Sequence, residues 1–200
     1  WKTISRTFRF SKCAGEDTDP EAIPNSWWMG GLAIGTVIVS ISALTIFDIP
    51  IYMSLIAVAL SAILAAIAVR STGETDINPV GGMGKVTQLA FGSLTTSMST
   101  NLLAAGITGA GASQAGDMMH DFKSGAMLGA SPRKQYKAQL FGIFAGVLFA
   151  VPLFLLFDRE YDIGALDSPM GAPAAMAWKA VAEIMAKGLD ALPPMAEWAA

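Results

Sequence analysis

Trp28–Phe47, WMGGLAIGTVIVSISALTIF, and Ile49–Val69, IPIYMSLIAVALSAILAAIAV, carry no charged side chain and are parted only by Asp48. Each run holds about 20 residues, which at about 1.5 Å per residue matches a hydrocarbon core of about 30 Å. A third run, Ala138–Phe157, is also uncharged, with Gln139 as its lone amide. Soluble domains bury helices too, but three such runs in 200 residues are a poor match to one. The composition agrees, with 53% hydrophobic residues, 14% charged and a mean hydropathy of +0.49, where a soluble domain carries about 25% charged residues. The expected fold class is all-α: a polytopic membrane helical bundle fragment. Its expected parts are a polar leader 1–26, a transmembrane region 27–157 with spans at about 28–47, 50–69 and 138–157, and an extra-membrane loop 158–200.

Several function classes are excluded early. Cys13 is the single cysteine and His120 the single histidine, so no internal disulfide, cysteine cluster or histidine-based metal site is expected. No cofactor is expected either. The net charge of −3 comes without a basic stripe, which argues against nucleic acid. A polar leader ahead of the first run argues against a signal peptide. The leader runs from basic (Lys2, Arg6, Arg9, Lys12) to acidic (Glu16, Asp17, Asp19, Glu21), and Trp27 and Trp28 suit the headgroup level.

Phe47-Asp48-Ile49-Pro50 forms the turn of a tight helical hairpin, and Arg70 closes its second span. Residues 77–116 are different. They are rich in Gly, Ser and Thr, with Lys85 their only charge, which suits helices packed in a bundle or lining a polar cavity. Arg133, Lys134 and Lys137 belong on the cytoplasmic side by the positive-inside rule, as does the leader. Residues 77–116 must then enter and leave on one face, as a re-entrant pair or broken helices. That leaves 158–200 outside, with seven acidic residues against three basic ones. Within it, 174–189 reads as an amphipathic helix with Trp178, Val181, Met185 and Leu189 on one face, stopped by Pro193-Pro194. Gly31 with Gly35, and Gly142 with Gly146, predict smooth helix faces that neighbours can approach closely.

Gly73-Glu74-Thr75-Asp76-Ile77-Asn78-Pro79-Val80-Gly81-Gly82-Met83-Gly84-Lys85 is the costly part of the chain, a charged and glycine-rich block beside two apolar spans. Intramembrane charge of this kind marks substrate or ion handling. A phosphate loop is excluded, because Pro79 and Val86 stand where glycine and Ser/Thr are required. Ala115-Gly116-Asp117 fails as an intramembrane protease motif because Gln114 replaces a glycine, and nothing arranges Ser, His and Asp for nucleophilic catalysis. No enzyme is expected. Instead, Asn78 reads as the N-cap of a helix opening at Pro79, whose free N–H groups form an anion-binding end. Lys85 could hold a carboxylate and Asp76 accept a proton or an amine, while Gln88, three residues after Lys85 on the expected shared face, offers neutral hydrogen bonds. Asn101, Gln114, Asp117 and Asp121 form a second polar group. Asp117 and Asp121 lie one turn apart and need Lys123, Arg133 or a cation between them. The candidate substrate or coupling residues are therefore Glu74, Asp76, Asn78, Lys85, Gln88, Asn101, Gln114, Asp117 and Asp121.

STGETDINPVGGMGKVTQLAFG (71–92) and NLLAAGITGAGASQAGDMMHDFKSGAMLGASPRKQYKAQ (101–139) resemble the oligopeptide transporter family, specifically its prokaryotic branch, and AWKAVAEIMAKG (177–188) resembles an extra-membrane segment of that branch. The resemblance places the family motif on Gly73, Glu74, Asp76, Asn78, Pro79, Gly81, Gly84, Lys85 and Gln88. A second string falls on Ser113, Gln114, Gly116, Asp117, Lys123, Gly125, Gly129 and Pro132. Gly82 departs mildly, standing where a slightly larger small residue is expected. The resemblance implies a multi-pass secondary transporter of a prokaryotic inner or plasma membrane, driven by a proton or cation gradient. A chain that opens at Trp1 with few spans then reads as an internal piece. Its implied partners are lipid, the remaining helices of the full-length transporter or a second copy, and a small peptide cargo. A metal-chelate importer of the same architecture is the alternative; a channel or a structural subunit fits less well.

Overall fold

A computed structural model of the chain describes residues 21–165 and 168–188. Those residues form six helices: α1 (Asn25–Phe47), α2 (Ile51–Thr75), α3 (Val80–Gly92), α4 (Met98–Met127), α5 (Pro132–Tyr161) and α6 (Pro173–Lys187). The chain is an all-α polytopic membrane bundle in which α1, α2 and α5 are long and apolar enough to cross a bilayer. Most of the leader, the segment after Gly188, Leu189 and Pro193-Pro194 lie outside the described residues.

The hairpin between α1 and α2 is closed by backbone geometry. Asp48 adopts the left-handed conformation at φ 53°, which a short polar side chain tolerates better than a branched one. The Asp48 and Ile49 amides both return to the Ala43 carbonyl, the latter at 3.1 Å. Pro50 follows at φ −58° and starts α2. That second helix does not stop at Arg70. It continues to Thr75, with Arg70 paired to Glu74 at 3.2 Å and the Thr75 hydroxyl donating to Ser71 O at 2.8 Å. Asp76, again left-handed at φ 60°, ends it through its amide to Thr72 O at 2.8 Å. Much of the charged block is therefore a helix end rather than a loop.

Residues 77–116 hold α3 and most of α4, separated by a break at 93–97. The 13 residues of α3 reach about 20 Å, short of a hydrocarbon core. Ser97 restarts the chain as a true N-cap, its Oγ accepting the Thr100 amide at 3.3 Å. The 30-residue α4 runs unbroken past 116 to Met127.

The core lies where α2, α3 and α4 meet, with α1 and α6 packed against it. Ala43, Ile49, Met53, Ala57, Phe91 and Ala104 form its apolar cluster. Small buried residues, including Ala57, Ala68, Ala105 and Ala112, let α2 and α4 approach closely without a hydrophobic drive from water. By contrast α5 buries nothing, and Phe141, Phe144 and Phe149 are each more than 70% exposed, a surface that only lipid or further protein can cover.

The close approaches fall at different glycines from those expected. A Cβ placed on Gly35, Gly142 or Gly146 meets nothing within 4 Å among the described residues, and one on Gly31 meets only the Tyr136 hydroxyl at 3.5 Å. Gly84, Gly92, Gly109, Gly116 and Gly125 are the crowded ones. Spacing along one helix marks a smooth face but not whether a neighbour uses it.

Candidate functional site

Two polar groups lie along α3 and α4. The first joins the α2–α3 connection to α4. Asn78 Nδ2 donates to Ser113 O at 3.1 Å and to Asp117 Oδ1 at 3.4 Å, while Ser113 Oγ donates to Asp117 Oδ2 at 3.4 Å. Gly116 makes this possible, because a Cβ there would fall 2.6 Å from Asn78 Cγ. Asn78 is thus not the N-cap of α3: Pro79 holds that position and no side chain caps it. The amide spends its hydrogens across the bundle, on groups that α4 brings within reach. Asp76 points outward, its side chain 90% exposed, with His120 Nε2 at 3.4 Å from Oδ1.

The same face of α4 is tied to α5 through Gln139. Gln114 Nε2 donates to Gln139 Oε1 at 3.2 Å, and Gln139 Nε2 donates to Asp121 Oδ2. Asp117 is met by neutral donors on Asn78 and Ser113 and Asp121 by Gln139, and among the described residues neither Lys123 nor Arg133 forms an ion pair with them. Gln139 carried a signal in sequence as the one amide of an apolar span. Ser113 was marked only as part of the second string of the family resemblance, and its role in holding Asp117 had no signal of its own.

The second group is buried. Asn101 Nδ2 donates to Gln88 O at 2.7 Å, and Gln88 Nε2 donates to Trp178 O on α6 at 2.8 Å. Beside them Thr87 Oγ1 and Thr108 Oγ1 share a hydrogen bond of 2.7 Å. Gln88, Thr87 and Thr108 have no exposed surface and Asn101 only 2%. Yet Gln88 Oε1 and Asn101 Oδ1 find no hydrogen-bond partner among the described residues, an expensive condition for buried amides. Lys85 does not share this environment. It is exposed while Gln88 is enclosed, because the turn between them carries the chain from the outer to the inner side of α3. Glu74 likewise lies on the surface, beside Arg70.

The lid over the buried group is α6. The Trp178 indole lies on bare backbone, where a Cβ on Gly84 would come within 2.6 Å of Cη2 and one on Gly109 within 3.2 Å. Met185 occupies the equivalent notch at Gly92, 2.7 Å from a Cβ there. Trp178 and Met185 were legible as one apolar face, but their seat was not. A cleft beside Ser54, Phe91 and Thr100 measures about 10 Å³, room for one water and not for a cargo. No three His, Cys, Asp or Glu side chains among the described residues converge on a metal position.

This arrangement, a short interrupted helix with an amide-lined buried face, accompanies a match to the family described as OPT oligopeptide transporter protein over residues 6–200. The chain belongs to that family. The assignment is to a family of transporters and not of enzymes. Saccharomyces cerevisiae YGL114W, whose name refers to an oligopeptide transporter, is 35% identical over 170 residues, covering 80% of this chain and 23% of the yeast protein. The metal-nicotianamine transporter YSL2 of Oryza sativa subsp. japonica is 30% identical over 175 residues, covering 86% of this chain and 26% of the rice protein. The metal-nicotianamine transporter YSL3 of Arabidopsis thaliana is 30% identical over 163 residues, covering 78% and 24%. The chain thus spans about a quarter of the length of the curated relatives it matches. These relatives are fungal and plant proteins, so the narrower expectation of a prokaryotic branch and a prokaryotic membrane draws no support from them.

Proposed function

We propose that this OPT-family chain is the part of a secondary active transporter that handles cargo at an interrupted helix, and that the whole protein moves metal chelates. The observation that carries the reading is the enclosure of Gln88 and Asn101 on and beside a helix too short to cross the bilayer. Discontinuous helices of this kind are where transporters place substrate and coupling-ion sites. Two of the three relatives above are named for metal-nicotianamine, which favours a chelate over the small peptide expected from sequence. Neutral amides and hydroxyls suit such a cargo, because they bond its amines and carboxylates without competing for the metal. The yeast relative keeps the peptide reading as the second one.

Within this proposal α1, α2 and α5 span a cell membrane, with α3 and the first part of α4 entering and leaving on one face. Asn78, Asp117, Gln114 and Asp121 hold the α3–α4–α5 joint in register, Asp76 exchanges the coupling proton or cation, and Lys85 and Glu74 meet cargo at the mouth. Uptake of iron–nicotianamine and of a labelled dipeptide by the full-length parent, each with and without a proton gradient, tests the reading. Gradient-dependent chelate uptake is expected; gradient-dependent dipeptide uptake with none of the chelate would reverse the cargo.

A further inference from the structure

Trp178 stands on α6, yet its ring occupies space that α3 and α4 have cleared for it. Both contact positions are glycine, and a Cβ at Gly84 would lie 2.6 Å and 2.7 Å from two ring carbons, Cη2 and Cζ2. Glycine on both helices, Gly84 on one and Gly109 on the other, clears the space beneath a residue that is itself only half-buried. The polar groups one helical turn along α3 from Gly84, Gln88 and the Asn101 bonded to its carbonyl, give a second sign. Gln88 and Asn101 are at least 98% buried, and each turns an amide oxygen that no described residue meets. The hydrogen bond from α6 to this group uses Gln88 Nε2 and the Trp178 carbonyl, so the lid satisfies a donor and leaves both acceptors bare. Permanent helix–helix seals pair their buried polar groups. A closed state that carries two orphan acceptors is one that a donor-bearing ligand relieves.

We propose that the slot between Gly84 and Gly109, beneath α6, is a ligand site for a compact group bearing N–H donors, and that Trp178 fills it as an internal stand-in until α6 lifts. The orphan oxygens of Gln88 and Asn101 set the chemistry: they accept from an amine or amide and offer nothing to a carboxylate. A chelator amine and a peptide amide share that chemistry. The bare backbone of the two glycines sets the shape, admitting a flat or ring-like group edge to face. Because the stand-in competes, apparent affinity is reduced by the fraction of molecules in which the slot is already open. The inference rests on reading this region as the transporter's cargo site.

Binding of iron–nicotianamine and of glycyl-tryptophan to the purified full-length parent tests it, with monodispersity checked for each variant. Trp178→Ala should bind one of the two probes about ten-fold more tightly than the parent, Trp178→Phe should stay close to the parent, and Gln88→Met should lose the gain when added to Trp178→Ala. A lock gives the reciprocal reading. A Cβ at Gly92 would lie 2.8 Å from Met185 Cβ, and a slight separation brings the pair to the about 3.5–4.5 Å of a disulfide. Gly92→Cys with Met185→Cys, in a background without other cysteines, should lose binding on oxidation and regain it on reduction. Unchanged or weaker binding of both probes by Trp178→Ala, or binding indifferent to the lock, overturns the slot. Gradient-driven uptake that neither Trp178→Ala nor the lock alters would sink the slot alone, whereas tighter binding by Trp178→Ala without any uptake would keep the slot and sink the transport reading.

Discussion

The seat of Trp178 can be tested without any cargo, by a double-mutant cycle between Gly84 and Trp178. In Gly84→Ala the new methyl would stand 2.6 Å from Cη2 and 2.7 Å from Cζ2 of the indole, where carbon atoms prefer about 3.5–4.0 Å. Relief requires α6 to back away by about 1 Å, and overpacking of that kind costs about 1–3 kcal/mol. Trp178→Ala alone removes a half-buried indole; full burial would make the loss about 3–5 kcal/mol, so about 2 kcal/mol is expected here. In the double variant the methyl meets no ring, and the change from glycine inside α3 then gains up to about 1 kcal/mol of helix propensity. Gly84→Ala should therefore be destabilising beside Trp178 and neutral or stabilising beside Ala at position 178. The coupling energy comes to about 2–3 kcal/mol, well above the additivity error of about 0.5 kcal/mol. Thermal unfolding of the four full-length proteins in one detergent measures it. Equal destabilisation by Gly84→Ala in both backgrounds would refute the notch, and with it the docking of α6 on α3.

Gly116→Ala should cost about 1–3 kcal/mol in the same unfolding assay, because its methyl would press on Asn78 Cγ at 2.6 Å; adding Asn78→Ala should recover most of the loss. Glu74→Gln should change stability by less than about 0.5 kcal/mol, since its pairing with Arg70 is an exposed i, i+4 contact screened by solvent. Asp76→Asn and Lys85→Met should lower initial uptake by the full-length parent while membrane abundance, read by immunoblot, stays near normal. Unaltered rates in both would remove them from the mechanism. A cysteine at Ser131, beside the basic start of α5, should resist an impermeant thiol reagent added to intact cells, and ready labelling there would contradict the same-face path of residues 77–116.

The three apolar spans were legible because lipid imposes a one-dimensional demand: about 20 residues without charge. Asp48 and Pro50 announced the first hairpin for an equally local reason, a residue tolerant of left-handed backbone followed by one that cannot continue a helix. The site was less legible because its contacts are made between segments. Asn78 resembles an N-cap beside Pro79, but the Ser113 carbonyl, 35 residues away, takes its hydrogen instead. Lys85 and Gln88 are close enough in sequence to suggest one face, yet the edge of the buried surface runs between them. The glycine pairs on α1 and α5 showed the expected spacing, yet among the described residues only Gly31 has a neighbour, the Tyr136 hydroxyl. Gly84 and Gly109 sit on different helices, so their shared notch exists only once α3 and α4 are packed.

Whether the enclosed amides of α3 and α4 handle cargo is read most directly from the initial rate of gradient-driven iron–nicotianamine uptake by the full-length parent and by Gln88→Met and Asn101→Leu, compared at equal membrane abundance. Both substitutions keep the approximate volume of the side chain and remove its amide, and loss of a buried hydrogen-bonding partner for a ligand is worth about 1–3 kcal/mol, or about five-fold to 150-fold in rate. That fall is expected in both variants with folding intact. Rates equal to the parent in both would show that cargo passes elsewhere.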